Sequence, residues 1–375
     1  MPELDEFYMA RALQLAERGL YTTEPNPRVG CVLVRDGQII GEGWHRRAGE
    51  GHAEIEALAS VKGSVDGATA YVTLEPCSHQ GKTGPCCDAL IKAGVSRVVA
   101  AMQDPNPLVA GRGFKRMQEA GVEVAFGVLQ EQARALNPGF TKRMETGLPY
   151  VRIKLAMSVD GRTAMDSGES QWITGPAARS DVQKLRARSS AVVTGVGTVL
   201  HDDPSMTVRA EQLGLTSCKY VSADDVVSRQ PLRVVLDSEF KTPATANIVN
   251  LPGSTWVVGA QELPSQNIGN AELKSLPGDD GKIDLQALLK MLAKAECNEV
   301  LVEAGAVLSG AFLQAGLVDE LVIYMAPKLL GSAARPLMAL PSMDKMADQV
   351  NLEICDVRSV GDDWRINAIV RGSQK

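Results

Sequence analysis

The chain has 375 residues, of which 45% are apolar and 22% charged, and a formal net charge of −6. At roughly 150 residues per domain this is an ordinary globular composition with room for two sizeable cores. An acidic balance, no dense Lys/Arg block and only 4% aromatics argue against a nucleic-acid partner, which would need a basic stripe or a stacking platform. Of seven cysteines, Cys77, Cys86 and Cys87 cluster, while Cys31, Cys218, Cys297 and Cys355 stand alone. That distribution points to a reducing compartment and one metal site, not a disulfide framework. Residues 1–20 lack a basic start followed by an apolar run, and no apolar stretch approaches a membrane span. A cytoplasmic protein without a membrane partner is expected.

Residues 3–19 carry apolar side chains near helical spacing, with Gly19 as a stop. Pro25-Asn26-Pro27 makes a turn. Strand 29–34 and return strand 39–44 flank Asp36-Gly37, a strong hairpin signal. A helix over 52–60, strand 70–74, helix 86–93, strand 97–101, helix 114–120 and strand 122–127 follow. This alternation predicts an α/β layered domain. A helical connector spans 129–148, is interrupted at Asn137-Pro138-Gly139 and closes at Gly147-Leu148-Pro149. The domains are therefore placed at 1–147 and 148–375.

The second half begins with strand 150–157 and a loop at Asp160-Gly161, then a helix over 177–188. Strands are predicted at 191–194, 233–236, 256–258, 300–303 and 320–325. Helices are predicted over 285–295 and 306–315, and a terminal hairpin over 351–370. Residues 211–231 are polar and weakly patterned, and read as a surface insertion.

The first chemical centre is His52-Ala53-Glu54, followed by Glu75-Pro76-Cys77 and Pro85-Cys86-Cys87. His52, Cys77 and Cys86 can supply three ligands to zinc, leaving a fourth tetrahedral position for water. Glu54 is close enough to move that water's protons. This is the layout of a zinc deaminase. Taken singly, His52 reads as a histidine at a helix start and the cysteines as small buried hydrophobes; the conjunction favours the metal. Eight residues separate Cys77 from Cys86, where the generic signature has two. Cys86, directly after Pro85, is the expected ligand, with Cys87 facing the core. The intervening loop either is merely solvated or closes over a substrate, offering His79 and Lys82 to a phosphate. A zinc-stabilised, non-catalytic binding module is the alternative. It needs a fourth protein ligand, for which Cys87 or His79 would have to serve. A nucleic-acid or nucleoside deaminase with an accessory domain is a further alternative.

Several motifs, in order, resemble the bifunctional pyrimidine deaminase/reductase family of riboflavin biosynthesis. They are Pro25-Asn26-Pro27-Arg28-Val29-Gly30-Cys31, Gly43-Trp44-His45, His52-Ala53-Glu54 and Glu75-Pro76-Cys77-Ser78-His79 with Pro85-Cys86-Cys87. The second half adds Lys154-Leu155-Ala156-Met157-Ser158-Val159-Asp160-Gly161, Gly168-Glu169-Ser170-Gln171-Trp172-Ile173-Thr174 and Val302-Glu303-Ala304-Gly305. The long cysteine-to-cysteine loop is typical of that family. The resemblance implies a cytidine-deaminase-like three-layer α/β/α domain followed by a dihydrofolate-reductase-like α/β domain. It implies zinc-dependent hydrolytic deamination of 2,5-diamino-6-ribosylamino-4(3H)-pyrimidinone 5′-phosphate, then reduction of the ribosyl group to ribityl with NADPH. The partners implied are pyrimidine ribosyl phosphates, and a homo-oligomer.

The resemblance also assigns site residues. Asn26, His45, His79 and Lys82 would contact the deaminase substrate. Ala156, Trp172, Thr198, Asp202, Ser238 and the stretch Gly305, Ala306, Val307, Leu308, Ser309, Gly310 and Ala311 would contact NADP. Ser170, Arg186, Met206, Arg209 and Glu303 would contact the reductase substrate. Read from the residues alone, Gly195-Val196-Gly197 lacks the third glycine of a dinucleotide fingerprint. Gly305, opening a helix after a strand, is the better phosphate candidate. Arg186 and Arg209 read either as phosphate anchors or as solvated surface arginines. Lys154 lies in an apolar strand and Glu303 ends another. A buried charge needs a partner or a purpose, so they are expected as a pair that brackets the substrate and assists proton movement, or as a structural ion pair.

Overall fold

The computed structural model describes residues 2–78, 84–107, 109–215 and 220–371. The chain divides into two units, Met1–Gly147 and Leu148–Lys375.

The first unit runs α1 (Pro2–Ala16), β1 (Gly30–Arg35), β2 (Gln38–Trp44), α2 (Ala53–Ser60), β3 (Thr69–Val72), α3 (Cys86–Lys92), β4 (Arg97–Ala100), α4 (Arg112–Glu119), β5 (Glu123–Phe126), α5 (Gln130–Leu136) and α6 (Pro138–Thr146). The sheet order is β2-β1-β3-β4-β5. β1 is antiparallel to both neighbours, and β3, β4 and β5 are mutually parallel. Alternation sorts the strand residues into two cores. Cys31, Leu33, Ala70, Val72, Val98 and Ala100 pack with Ala53, Ala57, Cys87, Leu90, Phe114 and Met117 of α2, α3 and α4. Val32, Val34, Tyr71 and Val99 pack with Tyr8, Met9, Ala12 and Leu15 of α1 and Ala133 of α5. Both faces are covered, which is why these strands read as continuous apolar runs. The result is a three-layer α/β/α unit.

Glycine permits one decisive contact. A Cβ on Gly43 of β2 would lie 2.2 Å from the Ala57 nitrogen and 2.4 Å from the Ala53 oxygen. Strand and helix backbones therefore touch, and the start of α2 is fixed against the sheet.

The second unit runs β6 (Tyr150–Ser158), β7 (Arg162–Ala164), α7 (Pro176–Arg188), β8 (Ala191–Gly195), α8 (Val196–Asp202), α9 (Ala223–Val227), β9 (Leu232–Leu236), α10 (Asn247–Asn250), β10 (Thr255–Gly259), β11 (Glu272–Ser275), α11 (Leu285–Lys294), β12 (Glu299–Val302), α12 (Ala306–Gln314), β13 (Glu320–Ala326), β14 (Arg335–Pro336), β15 (Leu352–Val360) and β16 (Asp363–Val370). Nine strands form one sheet in the order β11-β10-β9-β8-β12-β6-β13-β16-β15. It is parallel from β11 to β13, and the β15–β16 hairpin adds antiparallel to β13. Ile153, Val193, Leu236 and Val302 face the core under α11 and α12. Val192, Val235, Leu301 and Tyr324 face the core under α7 and α10.

At the amino ends of β6, β12 and β13, buried Arg152 pairs with Glu299 and, at 2.5 Å, with Glu320; Arg188 reaches Glu299 at 3.2 Å. These charges are buried with partners, as burial demands.

Residues 211–231 are more than the surface insertion expected. Leu213 and Val226 are fully buried. Ser222 and Asp225 cap α9 reciprocally, and Gln230 bonds both the nitrogen and the oxygen of Val208, at 2.8 and 3.1 Å. The buried positions are too few and too far apart to make a periodic signal. For the same reason β7, β11, β14, α8 and α10, each seven residues or shorter, were not predicted.

The Gly43 contact yields a stability prediction. Gly43→Val should destabilise the first unit by about 1–3 kcal/mol, the usual cost of overpacking, read as a lower denaturation midpoint. An unchanged midpoint would show that the β2–α2 approach has slack.

Candidate active sites

Three segments of the first unit meet at one point. His52 immediately precedes α2 with extended backbone, φ −72° and ψ 167°. Cys77 follows β3, and Cys86 opens α3. Their ligand atoms all lie within 4.8 Å of one another. His52 Nδ1 is 3.6 Å from Cys77 Sγ and 3.3 Å from Cys86 Sγ. Cys87, the next residue, is buried in the core beneath the sheet. The Cys86 thiol hydrogen-bonds Cys77 and lowers its pKa, while the same bond and burial push Cys86 up. One imidazole and two sulfurs fit a zinc ion. Among the described residues no fourth ligand joins them.

Glu54 lies in the first turn of α2 and is 3% exposed. Burial, then the neighbouring Cys77, raises its carboxyl to about 7. A carboxyl of that strength can both accept and return a proton near neutral pH.

Asn26 and His45 are brought to this centre. The His45 ring lies edge-on to His52 at 5.3 Å. Its Nδ1 bonds the Gly51 carbonyl at 3.0 Å, and Nε2 meets Asn26 Nδ2 at 3.1 Å. Burial lowers the pKa of His45, consistent with a neutral ring that donates through Nδ1 and accepts through Nε2. His79 and Lys82 lie outside the described residues.

Glu75 stands in sequence only as the first residue of the Glu75-Pro76-Cys77 motif. Its buried carboxylate accepts the N–H groups of Gly113 at 2.8 Å, Phe114 at 3.4 Å, Gly111 at 2.9 Å and Asp104 at 3.2 Å. A Cβ on Gly113 would fall 2.2 Å from the Pro76 oxygen. Glu75 thus ties the Cys77 segment to the start of α4. The available signal was an acid within the apolar stretch 70–77.

In the second unit a cleft of about 2010 Å³ opens at the carboxyl ends of the parallel strands, where ligands of α/β sheets bind. Lys154, Ala156, Ser170, Trp172, Arg186, Thr198, Asp202, Met206, Arg209, Ser238 and Glu303 line it, with Gly305, Ala306, Val307, Leu308 and Ala311. Ser309 and Gly310 do not. Ser309 is fully buried, and a Cβ on Gly310 would meet the Ala339 oxygen at 2.1 Å. The helical repeat turns these two residues away from the cleft. The start of α12 carries no side-chain cap, and Gly305 has open space around its Cβ position.

The ion pair that Glu303 makes is with Arg186, in place of the structural Lys154–Glu303 pair that was the alternative expectation. Arg186 holds Glu303 bidentately, Nε to Oε1 at 2.6 Å and Nη2 to Oε2 at 2.9 Å. Guanidinium matches the carboxylate fork in a way that ammonium does not. Burial raises the Glu303 pKa, but Arg186 and then Lys154 outweigh it and keep the carboxyl below its usual value. No described carboxylate lies within 4.0 Å of the Lys154 ammonium; burial lowers its pKa, against the pull of Glu303. Arg209 bonds Ser205 Oγ at 2.9 Å.

A His-Cys-Cys centre with a buried acid, on the same chain as a large strand-end cleft, defines a two-domain enzyme of the zinc deaminase and reductase classes. Residues 2–102 match the family described as the cytidine and deoxycytidylate deaminase zinc-binding region. Residues 149–366 match the RibD C-terminal domain. The riboflavin biosynthesis protein RibD of Escherichia coli K12 is 54% identical over 96% of this chain and 97% of its own. That of Haemophilus influenzae is 48% identical over 98% of each. Acinetobacter baumannii RibD superposes with a TM-score of 0.89 at 46% identity, over 99% of both chains. A Thermotoga maritima diaminohydroxyphosphoribosylaminopyrimidine deaminase/5-amino-6-(5-phosphoribosylamino)uracil reductase gives 0.84 at 31%, covering 98% of this chain and 99% of that one. The chain belongs to the RibD family, the bifunctional deaminase/reductases of riboflavin biosynthesis. Its fold is a cytidine-deaminase-like domain followed by a dihydrofolate-reductase-like one, and its cofactors are zinc and NAD(P)H. Its substrates are pyrimidine intermediates of that pathway.

The two adjacent cysteines separate ligand from core. Cys86→Ser should lose zinc, whereas Cys87→Ser should keep it at one per chain and only lower stability. Metal analysis of the purified variants decides; zinc retained in the first and lost in the second would reverse the assignment.

Proposed function

We propose that the first unit deaminates 2,5-diamino-6-ribosylamino-4(3H)-pyrimidinone 5′-phosphate, and that the second uses NADPH to reduce the ribosyl group of the product to ribityl. The observation that carries the deaminase reading is the buried Glu54 in the first turn of α2, two residues from His52 and beside a three-ligand cluster. When bound, zinc activates the attacking water. Glu54 takes a proton from that water and returns it to the departing ammonia. Asn26 and His45, paired beside the ligands, bind the pyrimidine edge. His79 and Lys82 remain the candidates for the phosphate.

In the reductase, NADPH supplies hydride, and the chain's residues hold the reacting atoms. The uncapped amides at the start of α12, reached past Gly305, are suited to the cofactor's phosphates. Ala156, Trp172, Thr198, Asp202 and Ser238 complete the cofactor contacts. Glu303, held ionised by Arg186, orients the substrate, with Ser170 and Met206 beside it. Lys154 is the proton donor. Arg209 is the better phosphate anchor, because Arg186 is already committed to Glu303.

We place the enzyme in the cytoplasm as a homo-oligomer. Two sulfur ligands need a reducing compartment to stay free. No helix among the described residues is long and apolar enough to cross a membrane. Leu352, Ile354 and Val357 of β15 and Trp364 of β16 are exposed, an apolar surface suited to a second copy.

Glu54→Gln should retain zinc and lose deamination by about 10²–10⁴-fold, the span of general acid–base catalysis. Normal ammonia release by that variant would refute the proton-shuttle role. Lys154→Ala or Glu303→Ala should slow NADPH oxidation on the deaminated intermediate and leave ammonia release intact. A coupled assay following ammonia and NADPH absorbance reads both, and unchanged NADPH oxidation would remove these residues from the reductase chemistry.

A further inference from the structure

Asn26 and His45 stand beside the metal ligands. The Asn26 N–H donates locally, to the Thr23 carbonyl at 2.8 Å, and a further support comes from much later in the chain. α5 and α6 are interrupted at Asn137, because Pro138 restricts the residue before it. Asn137 accordingly leaves the helical region, with φ −122° and ψ 46°. Its side chain makes no helix cap and turns instead to Arg28. The Arg28 N–H donates to Asn137 Oδ1 at 2.8 Å, and Asn137 Nδ2 donates to the Arg28 carbonyl at 2.9 Å. The amide thus closes a two-bond ring with one backbone residue, as a neighbouring strand would. Arg28 adds a bond from Nη1 to the Leu136 carbonyl at 2.8 Å. Asn137 and Arg28 are 6% and 4% exposed, so water does not compete for these bonds.

The pinned segment then holds His45 from both sides. The His45 N–H donates to the Val29 carbonyl at 2.9 Å, and Asn26 Nδ2 meets His45 Nε2 at 3.1 Å. Arg28 lies between these two contacts in sequence, so a shift of Arg28 moves both. Residue 137 lies beyond residues 2–102, the match to the zinc-binding region. The clamp therefore belongs to the connector and not to the motif-bearing core.

We propose that Asn137 is a positioning residue of the deamination site, fixing Asn26 and His45 for substrate through its paired hydrogen bonds to the Arg28 backbone. The proposal rests on the reading that Asn26 and His45 contact the substrate. It gives Asn137 no contact with substrate or metal. Its loss should therefore weaken substrate binding more than turnover, and should spare zinc.

The test uses the full-length zinc-loaded enzyme and three variants, Asn137→Ala, Asn137→Asp and Asn26→Ala. Ammonia release gives KM and kcat, and metal analysis gives zinc per chain. NADPH oxidation on the deaminated intermediate is the internal control on the same polypeptide. Calorimetric binding of the deaminated product is a readout independent of turnover. Loss of two buried hydrogen bonds should raise KM about tenfold in Asn137→Ala, with kcat changed by less than about threefold. Asn137→Asp keeps the acceptor for the Arg28 N–H but sets its second oxygen against the Arg28 carbonyl, so its KM should rise at least as far. Product affinity should weaken in parallel, with zinc and reductase activity unchanged. If Asn26→Ala raises KM and neither Asn137 variant does, the positioning role is wrong while the substrate reading survives. If Asn26→Ala leaves KM unmoved, the substrate reading fails and the proposal falls with it. If Asn137→Ala does not fold, Asn137→Asp decides; loss of zinc or kcat there without a change in KM would mean a structural role only and overturn the proposal.

Discussion

Glu75 brings four backbone N–H groups to one buried carboxylate, and the geometry of the deamination centre depends on it. A carboxylate taken out of water is costly unless its lone pairs are met, and hydrogen bonds to a charged group contribute about 1.5–3 kcal/mol each. The donors come from Asp104, Gly111, Gly113 and Phe114, so one side chain joins the residues after β3 to the loop and helix that follow β4. Cys77 lies two residues along from this anchor. His52 is fixed independently by the Gly43 contact between β2 and α2, and Cys86 by its place at the start of α3. Three separately anchored segments can hold ligand atoms within 4.8 Å of one another without any one of them being rigid alone.

The reductase cleft uses the same physics with a different outcome. Its acid, Glu303, is met by a guanidinium fork from α7, which leaves the Lys154 ammonium with no carboxylate within 4.0 Å among the described residues. Had Lys154 taken Glu303, both charges would have been spent on each other. Because Arg186 takes that role, Glu303 is fixed in place and the Lys154 amine is left for the ligand. The buried cluster of Arg152, Glu299 and Glu320 at the amino ends of the strands is the contrasting case. There every charge is satisfied within the protein, and the cluster is structural.

Much of this was legible in the sequence, for definable reasons. The metal ligands are chemically rare residues in tight motifs, and Pro85 before Cys86 indicated which of two adjacent cysteines would turn inward to the ion. The strands and longer helices announced themselves by period and by Asp36-Gly37 and Asn137-Pro138-Gly139. The partner of Glu303 was not legible. Lys154 and Glu303 shared the visible property of a charge in an apolar strand, whereas Arg186 sits on a helix among other polar residues, where a guanidinium carries no such mark. Ser309 and Gly310 fall inside the contiguous Gly305–Ala311 run that the family resemblance assigns to NADP. A helix presents only part of such a run to one side.

Asn137 shows the limit most clearly. In sequence it is a turn residue before a proline, and a turn is what it makes. Its further effect depends on a residue 109 positions earlier, and no local pattern encodes that separation. The same backbone break that interrupts the connector also frees an amide from helix capping and aims it at Arg28. The feature that defines the connector's shape is thus also what couples it to the deamination site. A segment placed between two domains by its sequence is, in its hydrogen bonds, part of the first domain's chemistry.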